Sequence, residues 1–241
     1  MMSDLLPIVF VHGIRLSGAA WTVVAEHMGR RPILAIDLPG HGQRRDERFT
    51  LPAAAETVLE AVDQLGGRAL VVGHSLGGYV SIAAAARAPE RVAGLVVAGS
   101  TAVPNRVLMS PFSLMHRILS AQPDGGERVS GRIFDASLPE SVARAVKNGG
   151  IATEAIPDVV RALAKFHVLS GLSAYPGPVW LVNGAHDHLR LHERRFAEAC
   201  SHGRLLVVPR AGHYLPLARP EDFSRMVLDA AAAAASPALA G

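Results

Sequence analysis

Six unbroken apolar runs lie along the chain, at residues 6–11, 32–36, 69–72, 92–98, 178–182 and 205–208, and none alternates polar with apolar positions. Such runs predict parallel strands covered on both faces. The stretches between them carry helical signals. Residues 17–27 place Trp21, Val24 and Met28 on one face, with Ser17 as an N-cap candidate. Residues 50–65 hold Pro52 in the first turn, where a missing N–H costs little. Residues 78–87 are small and apolar, as in a helix packed tightly on a sheet; helices are also predicted over 191–201 and 220–235. The last has Glu221 and Asp222 in its first turn, complementing the helix dipole. Strand and helix in alternation predict an α/β fold, a doubly wound, mostly parallel sheet of about six strands with right-handed crossovers.

After Ser100 the rhythm changes. Residues 101–174 carry no strong strand signal but several helical pieces rich in Met, Phe and Leu, punctuated by Pro123, Gly126, Pro139, Gly150 and Pro157. They are read as a helical cap inserted into a core of residues 1–100 and 175–241, not as a separate domain. An insertion after the fourth strand sits at the strands' carboxyl ends, where open α/β sheets bind ligands. Most of its apolar side chains are expected to pack on the core. One face is expected to roof a pocket, with Met109, Phe112, Met115, Phe134 and Phe166 as substrate-binding candidates. Residues 236–241 read as a frayed tail, and there is no internal repeat.

Composition narrows the class. Of 241 residues, 49% are hydrophobic and 19% charged, enough for a large core and against disorder. The formal charge is only +3, and the basic residues are nearly all arginines, scattered along the chain. The densest run, Arg44-Arg45-Asp46-Glu47-Arg48, is interrupted by acids, so no nucleic-acid partner is expected. Cys200 is the only cysteine, which excludes an intramolecular disulfide and a thiolate metal cluster and suggests a cytoplasmic protein. The opening Met1-Met2-Ser3-Asp4 lacks a basic region, so neither a signal peptide nor a spanning helix is expected. No membrane partner follows; a monomer or homodimer acting on a small molecule does.

The candidate chemistry centres on Gly73-His74-Ser75-Leu76-Gly77, directly after the third apolar run and before a helix. A sharp strand-to-helix turn forces its central residue into a strained conformation, tolerable only if the neighbours lack bulk. That turn exposes the serine hydroxyl and aims the following N–H groups at one spot: it is the G-x-S-x-G nucleophile elbow. A serine hydroxyl needs a base, and the base an orienting acid. His213, in the Gly-flanked loop after the last strand, is the candidate base, against a structural loop histidine. Asp187, ending the preceding strand, is the candidate acid, against a solvated turn aspartate or N-cap. Ser100 occupies the alternative acid position and cannot serve as a carboxylate. Backbone N–H groups of Leu76 and Ile14 are the candidate oxyanion hole. His186, His188 and His192 cluster without the spacing of a metal site, so no metal and no cofactor is expected. His74 is read as a buried structural histidine and His41 as a turn brace.

Together, His12-Gly13, Asp37-Leu38-Pro39-Gly40-His41-Gly42, the elbow, Asp187 and Ala211-Gly212-His213 resemble, in order, the motifs of the α/β-hydrolase superfamily. The likeness covers nearly the whole chain outside residues 101–174 and is greatest to the small capped esterases, lactonases and C–C hydrolases. Many members open with an antiparallel hairpin, for which too few residues precede the first strand here. The resemblance implies a cofactor-independent serine hydrolase acting on an ester of a small to medium, largely hydrophobic substrate, a carboxylesterase or lactonase. The alternatives it leaves are haloperoxidase-like perhydrolysis, a C–C hydrolase or lyase whose arginines (Arg106, Arg117 or Arg190) grip a carboxylate, and a slow-turnover ligand receptor.

Overall fold

A computed structural model describes residues 5–236; residues 1–4 and 237–241, including all but the first residue of the expected tail, lie outside the described residues. Six strands form where the apolar runs fall: β1 (Ile8–Val11), β2 (Ile33–Ile36), β3 (Ala69–His74), β4 (Val92–Ala98), β5 (Pro178–Gly184) and β6 (His202–Val208). They make one sheet in the order β2-β1-β3-β4-β5-β6, with every neighbouring pair parallel. Val11 pairs with Ile36 on one side and with Gly73 on the other. The chain thus leaves β1 towards one edge and returns to its other side, which opens a crevice at the carboxyl ends of β1 and β3.

The helices are α1 (Thr22–Glu26), α2 (Leu51–Gln64), α3 (Leu76–Arg87), α4 (Arg106–Ser120), α5 (Glu127–Ser137), α6 (Glu140–Asn148), α7 (Ile156–Leu163), α8 (Val168–Ser173), α9 (Glu193–Ala199), α10 (Leu215–Ala218) and α11 (Pro220–Ala235). None among the described residues is long and apolar enough to cross a membrane. The Thr50 hydroxyl accepts the Ala53 N–H at 3.2 Å and caps α2. Ser17 stands at its expected N-cap position but makes no side-chain cap bond. One core layer packs α2, α3 and α8 on the sheet through Val58, Val80, Leu172 and Tyr175; the other packs α1 and α11 through Trp21, Val24, Phe223 and Val227. Close packing of α3 depends on Gly77: a Cβ there would lie 2.1 Å from the Val11 carbonyl oxygen, so no side chain fits.

Burial corrects the expectation that every strand is covered on both faces. β1, β3, β4 and β5 are buried throughout, but β2 is half-buried and β6 is largely exposed. Both are edge strands, and Leu206 and Val207 on β6 each remain 38% exposed. The helical residues 101–174 are not uniform either. Met109 of α4 and Val159 and Leu163 of α7 join the first core layer, whereas α5 and α6 build a separate small cluster around Phe134, Val142, Val146, Leu16 and Leu217.

Candidate active site

Four chain segments leave the carboxyl ends of β1, β3, β5 and β6 and converge. Ser75 sits between β3 and α3 at φ 53°, ψ −117°, a conformation that L side chains rarely adopt. It is pinned there by its N–H donating to the Ala98 carbonyl at 2.9 Å and by the Ser100 hydroxyl donating to the Ser75 carbonyl at 2.8 Å. Ser100 therefore braces the elbow from below.

Ser75 Oγ lies 3.1 Å from His213 Nε2, and His213 Nδ1 lies 3.1 Å from each carboxylate oxygen of Asp187. These are hydrogen-bond distances for a serine–imidazole–carboxylate relay. The Asp187 side chain is only 1% exposed. Burial pushes its carboxyl up, but the His213 hydrogen bond and charge and the Leu189 N–H outweigh that and hold it below the ordinary 3.8. Gly99 makes room for the pair: at φ 62°, a Cβ would come 3.0 Å from Asp187 Oδ2 and 3.1 Å from His213 Nδ1.

The other buried histidines position this relay. His74 Nε2 donates to the His213 carbonyl at 2.9 Å, and burial, with His213 nearby, lowers its pKa to about 3, so it stays neutral. His12 Nε2 accepts the Leu38 N–H at 3.1 Å, which leaves Nδ1–H to donate to the Gly13 carbonyl at 2.8 Å. Burial, with His41 beside it, keeps its pKa well below the usual value. It fixes the turn that carries Ile14. His41 Nδ1 donates to the Pro39 carbonyl at 3.0 Å, bracing the turn of residues 39–42 after β2. Leu76 opens α3 and Ile14 follows β1; neither backbone N–H has an acceptor among the described residues, and both residues border Ser75.

Two cavities meet at Ser75. One, of about 20 Å³, is apolar and bounded by Ile14, Leu76, Tyr79, Met109, Phe112 and Leu163, among others. The second, of about 190 Å³, is lined by Arg15, Phe112, Met115, Phe134, His213 and Tyr214 with their neighbours. Of the apolar candidates, Met109 and Phe112 line the first cavity, and Phe112, Met115 and Phe134 the second. Phe166 borders neither cavity: it follows α7, and its ring lies against Gly171 of α8, with Cζ 3.3 Å from where a Cβ would be. Tyr79, Leu189 and Tyr214 also line the cavities, and nothing in their local sequence marks them.

The arginines considered for a substrate carboxylate are also elsewhere. Arg106 and Arg117 are exposed, and Arg190 is paired with Glu193 at 2.7 Å. The buried arginine at the site is Arg15, a loop residue with no motif to announce it. The histidine cluster disperses: His186 is exposed, His188 lies over the His213 ring at a centroid distance of 5.1 Å, and His192 Nδ1 accepts the Val103 N–H. No group of three side chains able to hold a metal occurs among the described residues. Burial pushes the Cys200 thiol up to about 11, against any nucleophilic role.

Residues 8–226 match the model of the alpha/beta hydrolase family. A pimeloyl-acyl-carrier-protein methyl ester esterase of Nitrosomonas europaea is 28% identical over 233 residues, spanning 90% of this chain and 92% of the relative. An esterase of Mycobacterium tuberculosis is 38% identical over 263 residues, spanning 92% and 82%. The solved structure of a thermophilic esterase from Thermogutta terrifontis superposes with a TM-score of 0.77 over 96% of this chain and 91% of that one, at 22% identity, a likeness of fold. With a family model spanning the sheet, the elbow and the histidine loop alike, the chain belongs to the alpha/beta hydrolase family.

Proposed function

We propose that the protein is a serine hydrolase that cleaves a carboxylic ester, without a cofactor, through an acyl-enzyme. The observation that carries this reading is the continuous relay Ser75–His213–Asp187 at 3.1 Å per step. The names of the two sequence relatives, both esterases, support it. Ser75 Oγ attacks the acyl carbon as its proton passes to His213 Nε2, and the carbonyl π pair moves onto oxygen, where the N–H groups of Leu76 and Ile14 receive the charge. On collapse the bond to the leaving oxygen breaks, and His213 returns the proton to that oxygen. Water, deprotonated by His213, then attacks the acyl-enzyme, and Ser75 leaves with the proton. Asp187 holds the imidazole in orientation and stabilises its cationic form. Helices α4 to α7 act as the cap, closing over the Ser75 hydroxyl with Met109, Phe112, Met115 and Phe134.

The cavity linings support a division of the two halves of the ester between them. The leaving oxygen must receive its proton from His213, which lines the larger cavity and not the smaller. The alcohol therefore occupies the larger cavity and the acyl chain the smaller. A volume of about 20 Å³ accommodates one or two water-sized groups at roughly 10–15 Å³ each, which suits acetyl or propionyl. Across p-nitrophenyl esters from acetate to decanoate, kcat/KM is expected to fall at least about tenfold between propionate and octanoate, since overpacking by even a few methylenes is unfavourable by roughly 1–3 kcal/mol. A rise with chain length would refute the assignment of the small cavity to the acyl group. Ser75 labelling without turnover of any ester would favour the C–C hydrolase or receptor alternatives.

A further inference from the structure

Arg15 is a buried charge without a counter-charge. It is 8% exposed, and its backbone sits at φ 68°, a strained value for a residue with a side chain. One terminal nitrogen donates to the Ser130 hydroxyl of α5, another faces Met115 Sδ at 3.8 Å, and the buried Nε has no partner. No carboxylate among the described residues pairs with it; Asp187 is engaged by His213, and Glu193 by Arg190. Tyr214 is the neighbouring ionisable group, but burial raises its phenol pKa, so it too supplies no charge. An unpaired guanidinium out of water is costly, and burial lowers its pKa only from a value at which arginine remains charged. A structural role for Arg15 as a brace of α5 would need one hydrogen bond, which a neutral side chain makes at lower cost.

Arg15 lines the larger cavity, together with Ser75, His213, Phe112 and Tyr214. Its backbone belongs to the turn that carries Ile14, so it is held in fixed relation to the reacting carbonyl. Resting on the ester-hydrolase reading and its assignment of the larger cavity to the alcohol, we infer that Arg15 binds a carboxylate carried by the leaving alcohol, making the substrate a short-chain acyl ester of a hydroxy acid. The terminal N–H bonds that Ser130 and Met115 leave spare offer the charge-assisted donors that a carboxylate accepts. Phe112, Phe134 and Tyr214 would flank the body of the alcohol.

The test compares 4-acetoxybenzoate with its methyl ester, two acetates of the same ring system that differ in the charge of the leaving group. The quantity read is the ratio of kcat/KM, acid over methyl ester. It is expected to exceed about 10 in the wild type and to fall about 30-fold in Arg15→Met, with partial retention in Arg15→Lys, as charge-assisted hydrogen bonds are the strong ones. Equal losses on both esters, leaving the ratio unchanged, would make Arg15 a brace and overturn the inference. A second measurement needs no variant: protection of Ser75 from a fluorophosphonate by 4-hydroxybenzoate against its methyl ester. Stronger protection by the acid supports the inference even if neither acetate turns over, an outcome that would count against ester hydrolysis alone. Equal protection refutes the Arg15 assignment while leaving ester turnover standing.

Discussion

Ser75→Ala is expected to lower kcat on short esters by roughly 10⁵-fold or more, because removing the nucleophile of a serine relay disables the whole relay at once. Position and chemistry separate cleanly here. Alanine keeps the Cβ, so the strained backbone at φ 53° and its anchors, the Ala98 and Ser100 bonds, are unchanged. The hydroxyl itself contributes one hydrogen bond, to His213 at 3.1 Å. The melting temperature should therefore stay within a few degrees of the wild type, as expected for a change of roughly 1 kcal/mol in a domain of this size. Activity and stability measured on the same preparation check this; a loss of activity below about 100-fold would show that another group can attack.

The second large effect is expected from Asp187→Asn, with a fall of roughly 10³–10⁴-fold in kcat. The carboxylate accepts from His213 Nδ1 with both oxygens, which leaves Nε2 free to take the serine proton. An amide can donate to Nδ1 and so favour the tautomer whose Nε2 carries a proton and cannot act as base. It also removes the negative charge that stabilises the imidazolium. The Leu189 N–H, which donates to Asp187 Oδ1 at 2.8 Å, retains an acceptor, so folding at neutral pH should survive. The pH dependence carries a sign. The carboxyl is held below its ordinary 3.8 in the folded protein. Its stabilisation is therefore fully present above about pH 4 and is lost as the pH falls through the depressed folded value. Wild type and Asp187→Asn should converge in stability only in strong acid, as read by thermal melts from pH 7 down to pH 3.

The features legible in the sequence were those set by local geometry. Ser75 is marked by glycines whose absence of bulk the elbow requires, and Asp187 and His213 lie in the loops that follow β5 and β6, strands that announce themselves by unbroken apolar runs. The features not legible depend on long-range placement. An edge strand such as β6 reads like an interior one, because Leu205, Leu206 and Val207 are as apolar as the residues of β4, and only sheet order exposes them. Phe166 reads like its neighbours in a helical apolar series, but it falls past the end of α7, where its ring lies against Gly171 of α8. Arg15 is buried by α5, whose Ser130 lies 115 residues away in sequence, so no local pattern reports it. Gly99 likewise earns its place only from two side chains on other strands' ends.

The most direct test of the central claim is fluorophosphonate labelling of the folded protein followed by peptide mapping. The relay predicts one covalent adduct, on Ser75, absent in Ser75→Ala and formed far more slowly in His213→Ala. Folded protein that stays unlabelled, or an adduct on a different residue, would contradict an assembled Ser75–His213–Asp187 relay.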